Sequence, residues 1–306
     1  MGNVRGAALL ALLGACSNGP DNGDGGADSA APDVQTDVVK ADAASDAGSD
    51  AVSDVIVDAP VEASPCTSTC GTANCGTCPT NPGIVAHDGF YNVTFKIDEH
   101  EVTNAEYAAF LAVNVPASTQ PSVCGFNTSF TPAASWPTDA GTNPVANVNW
   151  CDAWAYCAWA GKRLCGSIQD GGSLSPVYRD NADQSEWFLE CTGSNTGSGS
   201  SGYQRYPYSD TFDAGACNGM GYGADAAIPV KQAAGCTGGV DAGLHDMSGN
   251  VAEWENSCVE QDGGPGTCSL RGGAFNDDAG NLQCNVAATA ARTQAAATGG
   301  IRCCSN

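Results

Sequence analysis

Gly243-Leu244-His245-Asp246-Met247-Ser248-Gly249-Asn250-Val251-Ala252-Glu253-Trp254 is the stretch that decides the fold. Asp246 and Glu253 flank a glycine turn whose carbonyls are free to point inward. Carboxylates and carbonyls on such a turn are hard oxygen donors and suit Ca²⁺. Two further blocks follow it, Arg271-Gly272-Gly273 and Gly300-Ile301-Arg302-Cys303-Cys304.

The composition narrows the possibilities. Only 11 Lys and Arg stand in 306 residues, and the net charge is −23. Nucleic-acid phosphates need basic side chains, so nucleic acid is excluded as a partner. Anionic membrane surfaces are excluded as a direct electrostatic partner for the same reason. The 39 glycines point to a loop-rich fold. The 17 cysteines read as a disulfide framework in an exported protein.

The first residues agree with export. Met1 to Arg5 is a short, weakly positive region, and Gly6 to Ala15 is an apolar run too short to span a bilayer. Leu13-Gly14-Ala15-Cys16 resembles a bacterial lipobox, with Cys16 as the lipid-bearing residue; an ordinary cleaved signal peptide is the alternative. The expected address is the bacterial outer membrane or cell surface, with a lipid anchor as the only membrane contact. Without Cys16 an even sixteen cysteines remain, which suits complete pairing.

Four regions follow from this reading: a lipoprotein signal peptide over 1–16, a tether over 17–65, a cysteine-rich knot over 66–82, and the main domain over 83–306. The tether is rich in Asp and Ala, and with Lys40 as its one opposite charge it reads as a disordered, self-repelling spacer. In the knot, Cys66, Cys70, Cys75 and Cys78 are expected to form two local disulfides; in a cytosolic protein the same cluster would bring zinc to mind. In the main domain, the alternation from Tyr91 to Asp98 predicts a strand. Thr103-x-x-Glu106 is a capping box that opens a helix through Ala112. Asn149 caps a second helix, Trp150 to Ala160, which Gly161 stops; its Trp154 and Cys157 read as core. A third short helix is predicted around Gln184 to Glu190.

Six blocks in order resemble the formylglycine-generating enzyme, or sulfatase-modifying factor, family. Besides the three blocks above, these are Asp98 to Tyr107, Pro144-Val145 with Val148 to Leu164, and Glu186 to Cys191. The resemblance implies an α+β, C-type-lectin-like fold, loop-rich and disulfide-stapled. It implies a structural Ca²⁺ held by the side chains of Asp246 and Glu253 and the carbonyls of Gly249 and Val251. A second Ca²⁺ would use Asn218, the carbonyl of Gly219 and an acid such as Asp225. Without calcium, Asp246 would cap the turn and Glu253 would pair with an arginine such as Arg271.

The resemblance also implies the disulfides Cys157–Cys303 and Cys191–Cys284. Sequence proximity points to Cys217–Cys236 and Cys258–Cys268. Cys124, Cys151, Cys165 and Cys304 then remain, with Cys124–Cys151 and Cys165–Cys304 as one arrangement that the sequence does not fix.

Active members of the family resemble copper oxidases, in which two thiolates hold Cu(I). Those thiolates fall at the fourth and ninth positions after Arg-Gly-Gly, with a serine directly after it. Here the three positions are Asp277, Leu282 and Ala274. Copper is therefore not expected, and no catalytic residue is assigned. His87, His100 and His245 lack the spacing of an iron-binding triad, and His245 is expected to serve packing. Two functions compete: a calcium-stabilised surface module that binds an extracellular peptide or protein ligand or acts structurally, or an enzyme, either a cysteine-oxidising formylglycine generator or one using Asp277, Asp278 or Arg271 in the same cleft.

Overall fold

A computed structural model describes residues 64–88, 92–134, 136, 141–193, 203–239 and 243–306. Cys16 and most of the tether lie outside the described residues. Strands β1 (Gly83–Asp88) and β2 (Val93–Asp98) form an antiparallel hairpin. Helices α1 (Asn104–Ala112) and α2 (Trp150–Trp159) follow, and then β3 (Arg163–Leu164) and α3 (Glu186–Thr192). The rest is short strands: β4 (Thr237–Gly238), β5 (Leu244–His245), β6 (Ala252–Val259), β7 (Thr267–Arg271), β8 (Ala287–Ala291), β9 (Gly299–Gly300) and β10 (Cys303–Ser305).

The local signals act as their chemistry requires. Thr103 Oγ1 accepts from Glu106 N–H, and Glu106 returns the bond to Thr103 N–H. Asn149 caps α2 and completes a second capping box with Asp152, whose Oδ2 accepts from Asn149 N–H at 2.9 Å. Gly161 takes φ +71° directly after α2, the left-handed stop that lets the chain turn into β3. Ser185 caps α3, so this helix runs two residues later than the pattern predicts.

Two sheets carry the frame. In the first, the order is β1-β2-β10-β3, so the last strand of the chain closes the first hairpin. In the second, β8-β7-β6-β9, β6 pairs antiparallel with β7 and parallel with β9. The core between α1 and α2 is aromatic: Tyr107 stacks on Tyr156 at 5.6 Å, and Phe110 tilts against Trp159 at 5.6 Å. Trp154 is only half-buried, because it lines a surface cleft with Ala155 and Ala158, whereas Cys157, one turn further on, is fully buried. A second cluster joins Phe95 and Ile97 of β2 to Trp187, Leu244 and Met247.

Eight disulfides staple these parts. Cys66–Cys75 and Cys70–Cys78 tie the knot, and Trp159 Nε1–H donates to Cys75 O at 3.0 Å, so the knot packs on the end of α2. Cys157–Cys303 and Cys165–Cys304 bolt β10 to α2 and to the residue after β3. Cys191–Cys284, Cys217–Cys236, Cys258–Cys268 and Cys124–Cys151 complete the set. Such a set belongs to an oxidising compartment. Among the described residues no helix is long and apolar enough to cross a membrane.

Candidate functional site

The turn of the Gly243–Trp254 block is held by the other two blocks and by Asn218. Gly249 N–H donates to Gly272 O at 2.9 Å, Asn250 N–H to Asn218 O at 2.7 Å, and Phe275 N–H to Asn250 O at 3.0 Å. Asp246, Gly249 and Asn250 all take positive φ, at 61°, 79° and 63°. A Cβ on Gly249 would lie 2.3 Å from Asn218 O, so only glycine fits that approach.

Acids crowd this turn. Glu253 is buried; its Oε1 accepts from Arg302 Nε–H at 2.8 Å and its Oε2 from Trp187 Nε1–H at 2.6 Å. Asp246 is buried and accepts Lys231 N–H at 2.6 Å. Glu101 reaches in from the link between β2 and α1, accepting from Val251 N–H at 2.9 Å and Asn250 Nδ2–H at 2.6 Å. Burial and the neighbouring charges of Asp246 and Glu253 push the Glu101 carboxyl well above the usual carboxylate range. Burial likewise raises Asp246, to about 6, against the backbone N–H of Lys231 and the charge of Arg302.

Arg271 lies directly across from Glu253 on β7, yet it does not pair with it. Its guanidinium bonds to Asp180 at 2.8 Å and to Cys284 O at 2.8 Å, and sits 4.8 Å from the Trp187 ring centroid. Arg302 takes Glu253 instead, and also bonds to Asp98 O and His245 O, each at 2.7 Å. Arg302 and Glu101 are the charged side chains at the centre of this network that the sequence left unassigned. The signal for both was weak: Glu101 closes the acidic run Asp98-Glu99-His100-Glu101 and its partners lie 149 and 150 positions on, while Arg302 is one charge in an apolar block, 49 positions from Glu253.

Hard oxygen donors of the kind that calcium takes are gathered here. Three buried carboxyls, Glu101, Asp246 and Glu253, crowd the one buried guanidinium of Arg302; burial and mutual repulsion favour the protonated form of Glu101, and a divalent ion placed here would favour the ionised forms instead. Each bonded Glu253 oxygen keeps a second lone pair. The carboxylates alone do not form a cage. Among the described residues, the one convergence of three metal-ligating side chains is Cys165, Glu186 and Cys304, where the two sulfurs are already bonded to each other. An ion at the turn would therefore need backbone carbonyls as well, and Gly249 and Val251 are the ones the resemblance implies. At the second position, Asn218 Oδ1 is buried without a hydrogen-bond partner, while its amide nitrogen donates to Asn250 Oδ1 and Ala226 O. Such an orphaned oxygen suits a cation. Asp225 stands exposed on the same loop, and Gly219 is buried beside Asn218.

The positions where the family resemblance implies copper ligands are built differently. Leu282 is buried, with its side chain wedged between two glycines: a Cβ on Gly219 would meet Leu282 Cδ1 at 2.2 Å, and one on Gly273 would meet Cδ2 at 3.1 Å. Asp277 folds back on its own turn, its Oδ2 accepting from Ala274 N–H at 2.8 Å. Asp278 does the same for Gly280 and Asn281. Tyr206 Oη–H donates to Ala279 O at 2.8 Å and covers the same loop. Hydrocarbon and hard oxygens here cannot replace a thiolate pair for Cu(I). Of the histidines, His100 Nδ1 lies 2.8 Å from Glu101 O, and His245 is half-buried with its carbonyl on Arg302. The side chain of His87 lies outside the described residues.

Residues 70–306 match the family described as sulfatase-modifying factor enzyme 1-like domain. The chain belongs to this family. The match begins inside the cysteine knot and runs to the last residue. No curated protein matches the chain. Among solved structures, CarF is 24% identical over 69% of this chain and 86% of its own, with a TM-score of 0.47. Treponema denticola variable protein 1 is 18% identical over 74% of this chain and 92% of its own, TM-score 0.43. PvdO from Pseudomonas aeruginosa is 18% identical over 78% and 90%, TM-score 0.45.

Proposed function

We propose that this domain is a non-oxidising, calcium-stabilised ligand-binding or structural module, displayed outside the cell on a lipid-anchored tether. The observation that carries it is Leu282. Its side chain fills the space between Gly219 and Gly273 where the resemblance calls for a thiolate, and Asp277 is spent on its own turn. The remaining frame is kept by eight disulfides and the acid network. Calcium would be held by Asp246, Glu253 and the carbonyls of Gly249 and Val251, with a second ion at Asn218, the carbonyl of Gly219 and Asp225. The partner on this reading is an extracellular peptide or protein, and Cys16 carries the lipid.

The test is oxygen consumption and aldehyde formation with a cysteine-containing peptide and Cu(I). The wild-type chain is expected to show neither. Turnover by the wild-type chain would establish the alternative reading, a formylglycine-type oxidoreductase. Replacing Cys16 with Ser is expected to abolish lipid labelling and release the protein from the membrane fraction; unchanged labelling would refute the anchor.

A further inference from the structure

Strand β8, Ala287-Ala288-Thr289-Ala290-Ala291, is an outer strand of the second sheet and pairs with β7 alone. Arg292 N–H donates to Gly266 O at 3.0 Å, directly across the end of this ladder. Bonded and unbonded pairs alternate along an antiparallel ladder. Ala288 and Ala290 therefore bond to β7, and Ala287, Thr289 and Ala291 turn their N–H and C=O groups away from it. Ala291 O accepts from Gln294 N–H at 2.8 Å. The other outward groups of β8 have no backbone partner among the described residues.

A free edge invites another strand, and proteins blunt such edges with charge, proline, bulges or short length. The other outer strands of the two larger sheets carry these guards. β3 and β9 are two residues long. β1 starts directly after Pro82 and ends in Asp88, and Lys96 stands across from Val85. β8 has no charge, no proline and no register shift against β7. The sequence around it is also free of acids: the chain has 34 of them, and none follows Asp278. At the ends of β8, Glu260 is held by Arg292 at 2.5 Å, and Asp180 by Arg271 at 2.8 Å, with Arg271 directly across from Ala287. Among the described residues, a second copy can thus approach this edge without setting unpaired carboxylates against each other, although the chain's net charge is −23.

The strand complements itself. Ala-Ala-Thr-Ala-Ala reads the same in either direction, so an antiparallel two-fold pairing sets small residue against small residue along its whole length. With the axis at Thr289, its N–H and C=O exchange bonds with Thr289 of the second copy. Each Ala291 N–H donates to Ala287 O of the other copy, which uses outward groups that the single chain leaves free. The exposed Thr289 side chains then meet as a favourable cross-strand pair. We propose that a second copy of this chain docks on β8, antiparallel about Thr289, and continues the sheet across a dimer. The proposal is independent of the calcium and copper readings, since none of their positions lies on β8. The contact is short against a standard interface, so the expected dissociation constant is roughly 10–100 μM.

The experiment is light scattering and small-angle X-ray scattering on the full-length chain carrying Cys16→Ser, so that no lipid drives association. Concentrations run from about 10 to about 500 μM, which spans that affinity. A concentration-dependent dimer is expected. Thr289→Lys adds the guard that β8 lacks, and is expected to weaken the dimer about tenfold or more while the melting temperature holds, because the side chain is exposed. Single cysteines read the register. Thr289→Cys is expected to give a disulfide-linked dimer, because residues facing each other in a bonded antiparallel pair have Cα atoms about 5.5 Å apart. Ala288→Cys is expected not to link, because it faces Ala290 of the second copy. The proposal is overturned if the chain stays monomeric throughout, if Thr289→Lys dimerises like its parent, or if Ala288→Cys links as readily as Thr289→Cys.

Discussion

Arg302 and Glu253 meet at 2.8 Å with both side chains out of water, and they join the last block of the chain to the turn block. Burial works against the Arg302 charge, but the charges of Glu253, Glu101 and Asp246 hold it in place. Removing one partner of a buried pair strands the other, at a cost of about 3–5 kcal/mol. Arg302→Met is therefore expected to lower the melting temperature by roughly 6–20 °C for a domain of this size. Thermal unfolding by circular dichroism checks it. A shift under a few degrees would mean that Glu253 is neutralised by something other than Arg302.

Calcium is expected to bind the folded chain and not the unfolded one. Saturation at about a hundred times the dissociation constant would contribute ~2.7 kcal/mol. Chelation should lower the melting temperature, and calcium should restore it better than magnesium, which demands a tighter octahedral shell. Asp246→Asn keeps an oxygen for Lys231 N–H but loses the charge, and should reduce the calcium-dependent shift. A melting temperature indifferent to chelator refutes the calcium reading.

The fold was legible because its signals are local. Thr103-x-x-Glu106 and Asn149 mark helix starts through bonds three residues apart, Gly161 marks a helix end by its left-handed φ, and Gly249 and Gly272-Gly273 mark turns. What did not show was the long-range pairing. Arg271 stands opposite Glu253 in the β6–β7 register, and the calcium-free reading of the sequence pairs the two. The structure turns Arg271 to Asp180 and Cys284 O because Trp187 covers its guanidinium, and Arg302 arrives from the chain end to take its place. Glu101 was hidden for a similar reason: its partners Asn250 and Val251 lie on the far side of the sequence. That Asp277 and Leu282 stand where the resemblance places copper ligands could be read from the sequence, but the packing of Leu282 against Gly219 could not.

Asp152 gives a pH signature away from the acid network. Burial lifts its carboxyl to about 6, against the bonds from Asn149 N–H and Asn127 Nδ2–H. A raised acid means that between about 4 and 6 the folded chain holds a proton that the unfolded chain has lost. Stability from this group is thus greatest below its unfolded value and falls as pH rises through 6. Going from pH 7 to pH 5 should stabilise the wild type by about 1 kcal/mol more than Asp152→Asn. Urea titrations of both proteins at the two pH values measure the difference. Parallel pH responses would show that Asp152 ionises normally.

Leu282 and Gly219 should behave as one unit. A Cβ on Gly219 would sit 2.2 Å from Leu282 Cδ1, and Gly219 does not occupy the left-handed backbone region, so steric overlap alone makes alanine costly there. Leu282→Ala by itself should cost about 2–5 kcal/mol, from lost burial and the cavity left behind. The double variant removes the overlap and partly fills the cavity, so its cost should fall short of the sum by roughly 0.5–3 kcal/mol. Unfolding of the four proteins in urea gives this coupling directly. Simple additivity would mean that Leu282 does not fill the space beside Gly219, and the case against a metal-binding thiolate site at this position would lose its structural support.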